Sequence, residues 1–418
     1  MKLKSIKDIK NLKSKRIIVR VGFNVPLNKN KIIDDRKIQS VLPTINYLIE
    51  KNAKVILISH LGRPDKNQKS KIKNQNNGLH FKINKDEEFS LKPIAKRLEK
   101  LLNKKVKFIS DCVGEKVEKE ISKMKDKEII LLENLRFYKE EEKNSKIFAK
   151  SLSKFGDIYI NEAFSVSHRN HASVSAITKF LPSFAGFLLE AEVFNLLKQL
   201  KNPQRPYIIL LGGAKLSTKI KLIEILGKKA DKILIGGAIA NVFLKAKGYE
   251  IGKSLAEKNM IIQAKAMLKK RNLSKKFLLP TDVVIGKSIN KAERVELKKV
   301  EGIQNNDIIL DIGVETVYAY SQILKKAKTI LWNGPMGKFE FKQFSHGSLM
   351  LARVIASVSS DRVFSVCGGG ETAEILDLTK MEKFVSWVST GGGAMLSFLA
   401  NEEMPGIEPL KELKVKSN

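Results

Sequence analysis

Only two cysteines, Cys112 and Cys367, occur in the 418 residues, far apart and with no Cys-x-x-Cys spacing. Their scarcity argues against a disulfide scaffold, a zinc knuckle or a dithiol redox motif and fits a reducing compartment. Aromatic residues are also few, at 7%, and most lie in apolar runs rather than in the exposed stacking platforms of nucleic-acid proteins. No run reaches the roughly 18 apolar residues of a membrane-spanning helix. The basic start, Met1 to Asn11, has no apolar stretch of the secretory kind. A cytoplasmic protein with no membrane association is expected.

Acidic residues are the next shortage: 44 Asp plus Glu face 77 Lys plus Arg, a formal balance of +33. Such a charge is compatible with nucleic acid, an anionic surface or small polyanions as partners. The excess is nearly all lysine, 65 residues spread along the chain, whereas arginine numbers only 12. Diffuse lysine reads as background composition, so the positions of the scarce arginines carry more information than the total.

The length corresponds to two or three domains at about 100–200 residues each, and an apolar content of 43% is that of an ordinary globular protein. Short β-branched runs alternate with segments of helical period. Strands are predicted at Ile17–Val21, Lys54–Ile58, Val106–Ile109, Ile129–Leu132 and Ile158–Ile160. A second series is predicted at Tyr207–Leu211, Lys232–Ile235, Ile308–Asp311, Thr329–Trp332, Arg362–Val366 and Phe384–Val388, with helices such as Leu91–Leu102 and Leu255–Lys270 between strands. This rhythm predicts an α/β protein of doubly wound parallel sheets with helices on both faces. Lys66–Glu88, charged and Asn-rich, reads as an exposed insertion. The helical pattern Phe187–Leu200 stops at the Pro-containing stretch Lys198–Pro206, the natural boundary between two α/β domains.

In open α/β sheets ligands bind beyond the carboxyl ends of the strands, and there the two halves differ. The second half carries five glycine loops: Gly212-Gly213, Gly236-Gly237, Gly334-Pro335-Met336-Gly337, Gly368-Gly369-Gly370-Glu371-Thr372 and Gly391-Gly392-Gly393. Glycine permits close backbone approach, and helix N-termini after such loops offer N–H groups to phosphate, so a nucleotide is the economical ligand. Neither the G-x-G-x-x-G nor the G-x-x-x-x-G-K-[ST] pattern is present, so the design is neither an ordinary dinucleotide fold nor a P-loop. The first half instead places Arg20, Arg36, Arg63, Arg136 and Arg169 near strand ends. Arginine's planar fork matches carboxylate and phosphate geometry, which points to a cluster for a small anion. His60, His168 and His171 stand among them; with no matching carboxylate or thiolate set they read as donors to the same anion or as structural histidines.

These strings, in the order Val19–Leu27, Ser59–Pro64, Glu133–Phe137, His168–Ser173, Gly212–Ile220, Trp332–Glu340, Gly368–Thr372, Val388–Ala394 and Pro405–Leu410, closely resemble the phosphoglycerate kinase family over nearly the whole chain. The resemblance implies two Rossmann-like domains joined by a helix, with a cleft between them, and reversible phosphoryl transfer between 1,3-bisphosphoglycerate and ADP. It implies a 3-phosphoglycerate-binding domain at 1–186, an interdomain helix and hinge at 187–204, a nucleotide-binding domain at 205–401 and a tail, 402–418, returning to the first domain. Substrate would be held by Gly22, Phe23, Asn24, Arg36, His60, Leu61, Gly62, Arg63, Arg136 and Arg169. The nucleotide would be held by Lys215, Lys219, Gly337, Glu340, Gly369, Gly370, Glu371 and Thr372, with Mg²⁺ carried on ADP or ATP and reached by Glu371. Arg36, Lys215, Lys219 and the amides of Gly391, Gly392 and Gly393 would stabilise the moving phosphoryl group. A monomer without specific nucleic-acid binding is expected, closing about the 187–204 segment.

The chain departs from the family pattern at Gly22, Glu162 and Glu371, where aspartate is usual, and at Trp387, where histidine is common. Loss of a carboxylate at Gly22 implies weaker substrate positioning, by about 1–3 kcal/mol if nothing replaces it. Two rival readings are a weakly active homologue kept as a binding scaffold, which a turnover assay separates, and a basic nucleic-acid-binding protein, which requires a clustered basic stripe.

Overall fold

A computed structural model describes residues 1–64, 87–288, 295–359 and 362–412 of the chain. Lys66–Glu88, read above as an insertion, lies almost wholly outside the described residues. The fold divides into two compact units, one of residues 1–193 with 403–418, the other of residues 194–402.

In the first unit six parallel strands form one sheet: β1 (Arg16–Val21), β2 (Lys54–Ile58), β3 (Val106–Ile109), β4 (Ile129–Leu132), β5 (Ile158–Glu162) and β6 (Ser183–Ala185). Their order is β3-β4-β2-β1-β5-β6. Side chains alternate across a pleated strand, and here both faces are covered. Ile17, Val19, Val21, Val55 and Leu57 pack into one core, and Ile18, Ile56, Ile58, Ile130 and Leu132 into the other. That double burial is why these strands read as continuous β-branched runs rather than as alternation. The chain's last described segment belongs to this unit: Lys4 N–H donates to the Leu410 carbonyl at 2.8 Å, and Asn161 Nδ2 donates to the Gly406 carbonyl at 2.8 Å.

The second unit holds β7 (Tyr207–Leu211), β8 (Lys232–Ile235), β9 (Phe277–Leu278), β10 (Asp282–Gly286), β11 (Glu296–Lys299), β12 (Ile308–Ile312), β13 (Thr329–Asn333), β14 (Phe364–Gly368) and β15 (Trp387–Ser389). Six of them form a parallel sheet in the order β9-β8-β7-β13-β14-β15. Ile208, Leu210, Leu234, Ile330 and Trp332 lie in one core beneath it.

The strand predicted at Ile308–Asp311 is not in that parallel sheet. It pairs antiparallel with β10, which also pairs with β11, as a separate three-stranded sheet. Asp282, at the start of β10, is buried and accepts from Glu315 N–H at 3.0 Å and Thr316 N–H at 2.8 Å. Those two amides open the helix Val314–Leu324, so the carboxylate satisfies donors that helical bonding leaves free and favours the positive end of the helix. Two predicted strands start late: β14 begins at Phe364 and β15 at Trp387, because Glu382–Phe384 makes a 3-10 turn instead. The helix predicted at Leu255–Lys270 is confined to Ile261–Lys269, preceded by a 3-10 turn at Lys258–Met260.

Candidate functional site

Strands β4, β2, β1 and β5 are consecutive in the first sheet and parallel, so the loops that leave their carboxyl ends stand side by side. Side chains stitch these loops together. Ser59 Oγ accepts from Phe23 N–H at 3.0 Å and donates to the Val21 carbonyl at 2.8 Å. Asn24 Oδ1 accepts from Gly62 N–H at 2.8 Å. Asn134 Oδ1 accepts from Leu61 N–H at 3.1 Å and Arg136 N–H at 3.0 Å, while its Nδ2 donates to the Leu61 carbonyl at 2.7 Å. Gly62 has φ +58° and a phenyl edge of Phe89 only 2.3 Å from where a Cβ would stand. A side chain there would meet both backbone strain and a clash. A cavity of about 560 Å³ lies against Asn24, Leu61 and Gly62.

Around this framework the structure gathers Arg20, Arg63, Arg136 and Arg169 with His60, His168 and His171. Arg136 is pushed down to about 10 by burial and by the charges of Arg169, Arg20 and Arg63, although Glu142 opposes the shift. Its Nη1 donates to the Gly62 carbonyl and its Nε lies 3.3 Å from Glu142. Its Nη2 is buried with no hydrogen-bond partner among the described residues. A buried donor without an acceptor costs roughly 1–3 kcal/mol, more for a charged group, so its retention points to a missing acceptor. Burial and the nearby guanidinium groups also hold His171 down at about 3 and His60 well below the usual histidine range. Both rings are therefore neutral at about pH 7. Arg20 Nη2 lies 2.9 Å from His60 Nδ1; a guanidinium only donates, so the His60 proton sits on Nε2.

Two arginines depart from expectation. Arg20 does not present its fork to a ligand: it is 1% exposed, donates to the Val21 carbonyl and to Ser173 Oγ at 2.9 Å, and props His60. Arg36 is closed on Asp34, with Nη2 2.6 Å from Oδ2 and Nε 3.0 Å from both oxygens. The largest charge effect on Arg136 comes from Arg169, with Glu142 next and opposed to it. Arg63 and Asn24 are exposed, and Phe23 and Leu61 are buried supports.

The residues missed in the sequence are those that hold others in place: Ser59, Asn134, Glu141 and Ser173. Glu141 is fully buried, accepting from Ser173 N–H at 2.9 Å and Ser173 Oγ at 2.6 Å, with His171 Nδ1 at 3.8 Å. A polar residue beside a strand end was the available signal. Its partners are 30 or more positions away in the chain, which no local pattern reveals. Glu162, one of the departures, is fully buried and serves the helix Phe187–Leu200. It accepts from Leu188 N–H at 3.0 Å, Leu189 N–H at 3.3 Å and Thr44 Oγ1, and burial pushes its carboxyl up to about 7.

In the second unit the glycine loops follow β7, β8, β13, β14 and β15, again neighbours at one sheet edge. Gly213 N–H donates to the Pro335 carbonyl at 2.7 Å, Gly237 N–H to the Met336 carbonyl at 2.7 Å, and Gly334 N–H to Thr372 Oγ1 at 2.8 Å. A Cβ at Gly212 would stand 1.9 Å from the Pro335 carbonyl oxygen. Gly212→Ala is accordingly expected to lower stability by about 1–3 kcal/mol through overpacking. A urea titration with an unshifted midpoint would contradict that packing.

Lys219 is buried among these loops, 6% exposed, with Nζ donating to the Gly212 and Asn333 carbonyls. Burial pushes its pKa down to about 7 against the pull of Glu371. Lys215 is exposed, and Glu340, also exposed, accepts from Lys338 Nζ at 2.8 Å. Gly337 packs against Asp311, whose oxygen a Cβ would meet at 2.3 Å. Gly369 has φ +104° and precedes the helix Gly370–Leu378, in whose first turn Glu371 is exposed. Gly391 and Gly392 lead into the helix Gly393–Leu399. Among the described residues no three His, Cys, Asp or Glu side chains form a metal-ligand group. One exposed carboxylate beside phosphate-sized glycine loops fits a Mg²⁺ held mainly by phosphate oxygens.

One sheet edge thus concentrates guanidinium donors for a small anion, and the other concentrates glycine amides and a buried lysine for phosphates, the equipment of an α/β phosphotransferase. The sequence model of the family described as phosphoglycerate kinase matches residues 6–402. A phosphoglycerate kinase of Dictyoglomus turgidum is 44% identical over 417 residues, covering 99% of this chain and 100% of that protein. That of Coprothermobacter proteolyticus is 45% identical over 413 residues, with 98% and 99% covered. Solved phosphoglycerate kinase structures from Coxiella burnetii and Pyrococcus horikoshii superpose with TM-scores of 0.81 and 0.83 at 36% and 32% identity; each covers 98% of this chain, and 99% and 98% of the respective structures are covered. The chain belongs to the phosphoglycerate kinase family. It is a kinase of glycolysis, and no observation favours the scaffold or nucleic-acid readings.

Proposed function

We propose that the first unit binds 3-phosphoglycerate or 1,3-bisphosphoglycerate through Asn24, His60, Arg63, Arg136 and Arg169, framed by the backbone of Gly22–Asn24 and Leu61–Arg63. The second unit binds ADP or ATP through Lys215, Lys219, Gly337, Glu340, Gly369, Gly370, Glu371 and Thr372. Arg36 enters by exchanging Asp34 for a substrate oxygen. The observation that carries the reading is the buried, partnerless Arg136 Nη2 inside a group of four guanidinium ions.

The attacking group is a carboxylate in one direction and a phosphate oxygen in the other. Both are ionised near neutral pH, so no general base is required. In the ATP-consuming direction a carboxylate oxygen bonds to the γ-phosphorus as its bond to the β,γ-bridging oxygen breaks, and ADP leaves. The protein's task is alignment and charge neutralisation. Lys219 supplies a cation inside a buried site, Arg36 a second, and the amides of Gly391, Gly392 and Gly393 fixed dipoles. Glu371 would hold the Mg²⁺ carried by the nucleotide, which would add to the neutralisation of the phosphate oxygens. The reading includes closure about the 187–204 segment, a monomer and a cytoplasmic location.

Calorimetric titration with 3-phosphoglycerate tests the assignment. Arg136→Ala is expected to weaken its binding at least tenfold, on the scale of a charge-assisted hydrogen bond, and to leave Mg-ADP affinity unchanged. Equal 3-phosphoglycerate affinity in the two proteins would remove Arg136 from the site.

A further inference from the structure

The substrate side is rich in donors and poor in acceptors. Arg63, Arg136 and Arg169 can only donate, which suits carboxylate and phosphate but leaves the hydroxyl of a glycerate without an acceptor. Most nearby oxygens are already engaged. Ser59 Oγ joins Phe23 and Val21, and Asn24 Oδ1 takes Gly62 N–H. Ser167 Oγ donates to the Ala163 carbonyl at 3.0 Å. Ser173 Oγ bridges Arg20 and Glu141, and Glu162 caps the helix behind it.

Ser165 is different. It lies in the 3-10 turn Phe164–Val166 just after β5, and β5 pairs with β1 in the register Val21 with Glu162. The turn therefore abuts the residue that follows β1, which is Gly22. A Cβ on Gly22 would stand 3.1 Å from Ser165 Oγ, so that hydroxyl borders and crowds the space a side chain at 22 would take. Ser165 is half-buried, and its Oγ makes no hydrogen bond to the described residues.

We propose that Ser165 Oγ accepts the hydroxyl hydrogen of the glycerate and so makes the site specific for a hydroxylated acceptor. Gly22 is the residue whose small size admits it. The inference rests on the assignment of 3-phosphoglycerate to this unit and deepens it.

The test compares 3-phosphoglycerate with its deoxy analogue, 3-phosphooxypropanoate, as acceptors from Mg-ATP. Ser165→Ala is expected to raise the KM for 3-phosphoglycerate about tenfold, the size of one hydrogen bond to a hydroxyl, with kcat and the KM for Mg-ATP nearly unchanged. The KM for the deoxy analogue should not move, and Ser165→Thr should recover most of the 3-phosphoglycerate affinity. Gly22→Asp is expected to weaken 3-phosphoglycerate binding by displacing Ser165, and Gly22→Asp with Ser165→Gly to regain it. A loss of equal size on both acceptors in Ser165→Ala, or no change on either, overturns the role. Wild-type protein that turns over neither acceptor overturns instead the substrate assignment beneath it. A urea midpoint for each variant separates misfolding from altered recognition.

Discussion

Lys219→Met will lower kcat by about 10²–10³-fold, the range found when one group aimed at developing charge is removed from a water-poor site. Lys219 is buried, and its ammonium is held on the carbonyls of Gly212 and Asn333, each at the end of a strand that leads into a glycine loop. Few water dipoles share the site to screen its charge, so its effect on a nearby phosphoryl oxygen is large. The KM for Mg-ATP should change little, because Lys215, Glu340 and the loop amides remain. Lys219→Arg should not rescue: a planar fork is larger than an ammonium, and Gly334, whose Cβ would come 2.7 Å from Nζ, leaves no room beside it.

The depressed pKa gives this variant two further signatures. At pH 8 a lysine poised at about 7 is mostly neutral in the free protein, and on the proposed nucleotide assignment bound phosphates would restore its charge. Mg-ADP binding should therefore take up a fraction of a proton, seen as a dependence of the binding heat on the buffer's ionisation enthalpy, and Lys219→Met should abolish it. On stability the sign is equally definite. The folded-state value lies below the unfolded one, so the unfolded chain holds more protons between about pH 7 and 10.5, and wild-type stability gains with pH there relative to the variant. Urea midpoints of the two proteins that run parallel across that window would contradict the buried, depressed lysine.

Arg20→Met should cost about 3–5 kcal/mol of stability, the range for breaking a buried charge pair from one side. Arg20 and Glu141 are not in direct contact but share Ser173, whose Oγ accepts from Arg20 Nε and donates to Glu141 Oε1 at 2.6 Å. Burial already raises the Glu141 pKa, and Arg20 is the largest influence restraining it. Without Arg20 the carboxylate loses that partner, the Val21 carbonyl loses a donor and His60 loses its prop. Arg20→Met combined with Glu141→Gln should regain part of the loss, because the stranded charge is then gone. Urea unfolding at pH 7 of the two single variants and the double variant measures the coupling. Additive losses would mean that the two residues act separately.

The parallel sheets were legible because strands buried on both faces read as continuous apolar runs rich in β-branched residues, as Ile17–Val19 and Tyr207–Leu211 do. The antiparallel sheet was not, since three of the four residues of Glu296–Lys299 in β11 are charged and its register depends on pairing with β10. The candidate site was legible where chemistry is written in residue type: scarce arginine against abundant lysine, and glycine after five strands of the second unit. It was not legible where the outcome depends on distant partners. Arg20 turns inward because Ser173, His60 and the Val21 carbonyl receive it, and Arg36 is occupied because Asp34 is two residues away. Glu162 stood out in the sequence only as a departure from the family pattern, yet its carboxylate satisfies the first amides of a helix that begins 25 residues later.

The central claim is phosphoryl transfer to a carboxylate, and trapping the acyl phosphate tests it most directly. The protein, 3-phosphoglycerate, Mg-ATP and hydroxylamine are incubated together, and ADP and the glycerate hydroxamate are counted. The account predicts equal amounts of the two, with none of either when 3-phosphoglycerate is omitted. ADP formed without hydroxamate, or no ADP from a protein that binds both ligands, would contradict it.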